Sequence, residues 1–174
     1  MSVPAHARGT AQQKRRVREH AAVWPLRTST YLLDVNVLIA LIDPLHPHHM
    51  RAHDWFQSHA QNAWATCPIT ENGVIRIVGH PRYPNTPGRP SIVAAMMTKL
   101  RSLPGHVFWP DDVSLLDVAH VDASRLLVSA QLTDTYLLAL AASKKGFLAT
   151  FDRQLIADAV VAGKAALHVI GQRR

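Results

Sequence analysis

Four carboxylates stand at related places in this chain. Asp34 follows the apolar run Tyr31-Leu32-Leu33, and Asp152 follows Phe147-Leu148-Ala149-Thr150-Phe151. Glu71 and Asp134 each sit at the start of a stretch with helical patterning. A buried carboxylate is costly unless it is paired or holds a cation. Several close together repel one another, which raises their pKa values unless a divalent ion intervenes. Oxygen ligands on a chain with a single cysteine favour Mg²⁺ or Mn²⁺ over zinc. Such an ion activates water and stabilises charge on a phosphoryl group, so the set points to phosphodiester chemistry.

Each acid also has a plain structural explanation. Asp34 and Asp152 precede helical patterns, where Asp is a favoured cap. Glu71 falls in a first helical turn, where the macrodipole favours an acid. The helical face adds something that capping does not explain. Positions 71, 74, 75 and 78 read Glu, Val, Ile and Val, so Glu71 heads an apolar stripe and points inward. Asp134 repeats this with Leu137, Leu138 and Ala141, and Thr133 is placed to cap that helix. Asn36, two residues after Asp34, is able to hydrogen-bond nearby, and Thr150 puts a hydroxyl two residues before Asp152.

The elements that must position these residues alternate. Strands are expected at 31–33, 63–66, 107–109, 147–149 and 168–170. Helices are expected at 37–42, 48–59, 69–78, 92–103, 123–130, 133–145 and 153–162. The proline-rich stretch 80–90 reads as a loop. Strand–helix alternation implies an α/β fold with a parallel sheet covered on both faces. Ligands then collect beyond the carboxyl ends of the strands, where Asp34 and Asp152 fall.

The net charge of +7 is unevenly placed: residues 1–30 hold six Arg or Lys against one acid, Glu19. The remainder holds thirteen bases against eleven acids, so the folded body is only mildly basic and its charge says little about a polyanionic partner. Residues 1–29 are expected to form a basic, disordered and dispensable leader, whose presence puts the true start of the protein in question, and residues 30–174 to form one domain. One cysteine, Cys67, excludes an intrachain disulfide and reads as a small buried side chain. That usage fits a reducing, cytoplasmic compartment, and the run from Tyr31 to Ile42 is too short to span a membrane.

His46, His48, His49 and His53 cluster, with His49 and His53 at the spacing of a metal pair, but the glutamate of a metalloprotease motif is missing. A solvated or RNA-facing loop is the better expectation there. Arg76, Arg82 and Arg89 flank or follow the Glu71 helix and are placed to grip phosphates, with ordinary surface solvation as the alternative. Trp55, Trp64 and Trp109 read as core.

Together, Leu32-Leu33-Asp34-Val35-Asn36-Val37-Leu38, Thr70-Glu71-Asn72-Gly73, Thr133-Asp134-Thr135 and Thr150-Phe151-Asp152 resemble the PIN-domain nucleases, and within them the VapC-type toxins of bacterial toxin–antitoxin pairs. His80-Pro81-Arg82-Tyr83-Pro84-Asn85 is similar to the connector of one actinobacterial-style subgroup. The resemblance covers roughly residues 30–172. It implies a three-layer α/β/α sandwich with a mainly parallel central sheet. It also implies that Asp34, Glu71, Asp134 and Asp152 form an acidic catalytic quartet. Asp34 and Asp134 would be metal ligands for Mg²⁺ or Mn²⁺, with Asn36 and Thr150 in support. The implied activity is metal-dependent cleavage of structured RNA such as tRNA or rRNA, leaving 5′-phosphate and 3′-hydroxyl ends. The implied partners are a cognate antitoxin and a second copy of the chain as a homodimer.

Three other readings compete. A haloacid-dehalogenase-type phosphatase normally carries a second Asp two residues after the first, where this chain has Asn36. A receiver domain lacks its acidic pair and late lysine here. The serious rival is a catalytically silent PIN-like module that binds RNA or protein, and metal-dependent loss of RNA separates it from an enzyme.

Overall fold

The computed structural model describes residues 29–171. The expected leader, apart from Ser29, lies outside the described residues. Five strands form the sheet: β1 (Tyr31–Leu33), β2 (Trp64–Thr66), β3 (His106–Phe108), β4 (Phe147–Thr150) and β5 (Leu167–Val169). Their order is β3-β2-β1-β4-β5, and every pairing is parallel. The helices are α1 (Val35–Ile42), α2 (His49–Trp55), α3 (Pro68–Val78), α4 (Pro90–Arg101), α5 (Leu132–Ser143) and α6 (Gly163–Ala166), with α2 running on into a π-helical turn over Phe56–Ala60.

Strand side chains alternate between faces, and this alternation divides the core in two. Leu33 of β1, Trp64 of β2 and Ala149 of β4 pack with α1 to α4 on one face. Leu32, Ala65 and Leu148, their neighbours along the same strands, pack with α5 and α6 on the other. The result is the expected α/β/α sandwich. Trp55 and Trp64 are core residues, whereas Trp109 is half-buried at the edge of the second cluster. Cys67 is fully buried, and burial pushes its thiol pKa up, as befits an inert packing residue.

Two expected helices are absent. Residues 123–130 form two short 3₁₀ turns, Ala123–Arg125 and Ser129–Gln131, because Asp122 takes the Ser124 N–H, the Ser124 hydroxyl and the Arg125 side chain on its own carboxylate. Residues 153–162 are irregular. Asp122 N–H donates to Ala159 O at 2.8 Å and Val161 N–H to His120 O at 2.9 Å, so this stretch pairs with the chain at 120–122 and keeps only a short turn of its own, Val160 N–H to Ala157 O at 3.2 Å. Tertiary pairing overrides helix propensity here.

The histidine cluster also differs from expectation. The His49 ring bonds Ala40 O at 2.8 Å and the His53 ring bonds Leu41 O at 3.0 Å. The i, i+4 spacing thus satisfies the orphan carbonyls that close α1 and holds α2 across its end. No helix among the described residues is long and apolar enough to cross a membrane.

Candidate active site

The chain leaves β1 towards β2 and β3 on one side, and later returns through β4 to β5 on the other. The sheet therefore changes direction between β1 and β4, and at such a switch point the carboxyl ends of neighbouring strands open a crevice. Asp34 stands at the end of β1 and Thr150 at the end of β4.

Asp34 is 6 % exposed, yet its carboxylate is well supplied with donors. Oδ1 accepts the Val35 N–H at 2.6 Å, so the residue does cap α1. Oδ2 accepts from the Thr150 hydroxyl at 2.6 Å and from the Asn36 amide at 2.6 Å. The Asn36 orientation follows from its other end, where Oδ1 accepts the Phe151 N–H at 3.1 Å, so Nδ2 must face Asp34. Thr150 Oγ1 in turn accepts from Asn36 Nδ2 at 2.9 Å and from the Asp152 N–H at 3.0 Å. Its one proton and both lone pairs are used.

Capping and site geometry are therefore one arrangement at Asp34. Despite those donors, its pKa is pushed up to about 6. Burial is the largest cause, opposed by Thr150, and the charges of Asp134 and Asp152 push it further up. Asp134 is raised as well, by burial and then by Asp152. The structure thus brings Asp34, Asp134 and Asp152 within electrostatic reach of one another. Asp152 Oδ1 accepts the Gln154 N–H at 2.7 Å, a local turn in place of the expected helix cap.

Asp134 enters from the first turn of α5, above the buried Leu137, Leu138 and Ala141 that its spacing anticipated. Thr133 does not cap this helix: the N-cap is Gln131, and Thr133 is the second residue of its first turn, lining the cleft. That cleft, of about 440 Å³, is lined by Asp34, Asp134, Asn72, Gly73, Arg76 and Thr133. Gly73 explains itself here. A Cβ at this position would come within 2.7 Å of Val35 Cγ2, so glycine lets α3 close on α1 beside Asp34.

Glu71 is on the inward stripe of α3 with Val74 and Val78, as its spacing required. Its carboxylate has its own partners at the end of β2. Oε1 accepts the Thr66 hydroxyl at 2.5 Å and Oε2 pairs with Arg101 at 3.1 Å. Because Thr66 gives its proton to Glu71, its 2.8 Å approach to His106 Nε2 requires the proton on that ring nitrogen. Thr66, Arg101 and His106 were not anticipated. A threonine closing β2 as Thr150 closes β4 was the one available signal; Arg101 and His106 arrive through tertiary structure.

No family model matches the chain. Over 134 residues it is 46 % identical to ribonuclease VapC39 of Mycobacterium tuberculosis, covering 77 % of this chain and 96 % of that protein. Ribonuclease VapC44 of the same organism is 42 % identical over 138 residues, or 79 % of this chain and 96 % of its own length. Ribonuclease VapC38 is 42 % identical over 123 residues, covering 70 % and 84 %. A parallel α/β/α sandwich with acids gathered at its switch point defines the class, and these likenesses the family: the chain belongs to the VapC-type PIN-domain ribonuclease toxins.

Proposed function

We propose that this protein is a metal-dependent endoribonuclease toxin that cleaves structured cellular RNA, tRNA or rRNA, and is neutralised by a cognate antitoxin. Homodimerisation belongs to the same proposal, as does the release of 5′-phosphate and 3′-hydroxyl ends. The single observation that carries it is the buried Asp34 carboxylate, with a pKa of about 6 and two further acids acting on it. A cation would relieve that repulsion.

The donor set fits a hard divalent ion. Among the described residues, no three His, Cys, Asp or Glu side chains close into a complete cage. Mg²⁺ and Mn²⁺ suit such an open arrangement, since they keep waters and use one or two carboxylates together with substrate oxygens. Asp34 and Asp134 would hold the ion. Once bound, it would supply Lewis-acid stabilisation of the phosphoryl oxygens and lower the pKa of water.

The remaining work falls to the chain itself. Thr150 and Asn36 fix the Asp34 carboxylate so that little reorganisation is needed on binding. Asp152 adds negative charge from a carboxylate anchored by the Gln154 N–H. Glu71, braced by Thr66 and Arg101, is a fixed acceptor at the end of β2. The likeness to proteins named ribonucleases supports the reaction class.

Turnover of a tRNA pool should require Mg²⁺ or Mn²⁺, stop on adding EDTA and return with fresh metal. Metal-independent turnover would contradict the proposal. Bound metal beside uncut RNA would favour a silent binding module.

A further inference from the structure

Arg76, on the outer turn of α3, lines more than the acidic cleft. It also lines a cavity of about 350 Å³ with His80, Arg82 and Tyr83, and another of about 650 Å³ with Pro81, Arg89 and Pro90. Arg76 is thus a wall residue shared by all three spaces. Arg76, Arg82 and Arg89 pair with no acid among the described residues, as is also true of Arg51, Lys99, Lys145 and Arg153 elsewhere, whereas Arg101, Arg125, Lys144 and Lys164 each pair with one. His80 Nδ1 accepts the Arg82 backbone N–H at 3.1 Å, which leaves the ring proton on Nε2 as a further donor.

This wall is built to stay in place. Asp43, 4 % exposed at the end of α1, takes the Tyr83 hydroxyl at 2.6 Å and the Asn85 amide at 2.8 Å on one oxygen, and the Leu45 N–H at 2.9 Å on the other. Thr86 Oγ1 bridges both backbone groups of Gly88, whose φ of +131° suits glycine alone. The Tyr and Asn of the connector motif are thus anchors, and Pro81, Arg82 and Pro84 beside and between them are exposed.

We infer that the α3–α4 connector is the channel wall along which single-stranded RNA leaves the cleft, with Arg76 and Arg89 on successive phosphates and one unstacked base seated between Pro81 and Pro90. This role deepens the nuclease reading and rests on it for the choice of ligand. Charge complementarity and the Arg76 wall shared with the acidic cleft favour RNA. Single strands are recognised by this combination of cationic backbone contacts and a surface that takes a splayed base.

The test is binding, not cleavage. Fluorescence anisotropy of a labelled 12-nucleotide single-stranded RNA in EDTA should show Arg76→Ala/Arg89→Ala weakened about tenfold or more at low salt. The slope of log affinity against log salt should fall by about 0.7 for each phosphate no longer neutralised. Lys164→Ala, whose ammonium is tied to Asp158, serves as the control and should bind as the wild type does. The charge-preserving Arg76→Lys/Arg89→Lys pair should keep the slope, which separates missing phosphate grips from misfolding. A strand with abasic sites should bind the wild type more weakly than the intact strand. Unchanged affinity and slope in the alanine pair, or no RNA binding by the wild type, would overturn the inference. Because no metal or turnover enters, failure of the nuclease chemistry would leave this result readable.

Discussion

Thr150 donates its hydroxyl proton to Asp34 Oδ2 at 2.6 Å, joining residues 116 positions apart across the point where the sheet reverses. Thr150 Oγ1 also accepts from the Asn36 amide and from the Asp152 N–H, so one hydroxyl sets the geometry of three residues of the site.

Thr150→Val should remove the acceptor of the Asp152 N–H and one of the two acceptors of the Asn36 amide, whose bond to Asp34 Oδ2 remains. Both residues are half-buried, so the cost should fall towards the lower end of the range for a fully buried group left unsatisfied, about 1–3 kcal/mol. Loss of a group that orients a metal ligand should reduce metal affinity or turnover about 10–100-fold. Thr150→Ser keeps the hydroxyl and should stay close to wild type in both. Thermal melts beside single-turnover cleavage would check this; a valine variant as active as the serine one would contradict it.

Asp34 gives a pH signature. Its folded pKa, about 6, lies above the unfolded value, so the folded metal-free protein binds more protons between about pH 4 and 6. That contribution to stability is present below the unfolded pKa and is lost as pH rises through the folded one. The shift corresponds to about 3 kcal/mol. Asp34→Ala removes it, but also removes the acceptor of Val35, Asn36 and Thr150. Relief of repulsion alone would therefore overstate the gain. Relative to wild type, the variant should be clearly destabilised at about pH 4.5 and much less so at about pH 8, in EDTA. Denaturant melts at both pH values decide, and a pH-independent difference would rule out this role for Asp34.

The histidine pair shows what the sequence conveyed and where it stopped. His49 and His53 were visible at i, i+4, but the carbonyls they satisfy belong to α1, which only the folded chain brings near. The inward stripes headed by Glu71 and Asp134 were legible because helical periodicity is local. Strand ends marked Asp34 and Thr150 for the same reason. Residues 153–162 had an equally good helical pattern, yet the hydrogen bonds of Ala159 and Val161 to the 120–122 segment won. The Glu71–Arg101 pair spans thirty positions and two helices, beyond any local signal.

Asp43 should behave in the opposite sense to Asp34. Burial pushes its pKa up, but the Tyr83 and Asn85 donors outweigh that and hold it below the ordinary value. Its contribution is then present above the unfolded pKa, about 4, and lost as pH falls through the folded one. Asp43→Ala should cost about 1–3 kcal/mol at neutral pH by stranding Tyr83, Asn85 and the Leu45 N–H. Tyr83→Phe, which removes one donor and strands none of the others, should cost less. Equal melts for wild type and Asp43→Ala would show that the connector is held by something else.

End-mapping of total RNA bears most directly on the central claim, that the Asp34–Asp134–Asp152 cluster is a metal-dependent RNA-cleaving site. Wild type should be compared with Asp134→Asn in Mg²⁺ or Mn²⁺ and in EDTA. Asp134 accepts no hydrogen bond among the described residues and carries a raised pKa, so its neutral variant should fold at least as stably as wild type. Discrete cuts with 5′-phosphate ends, dependent on metal and absent in Asp134→Asn, are the expected result. Equal cutting by the folded variant, or cuts that persist in EDTA, would contradict the claim.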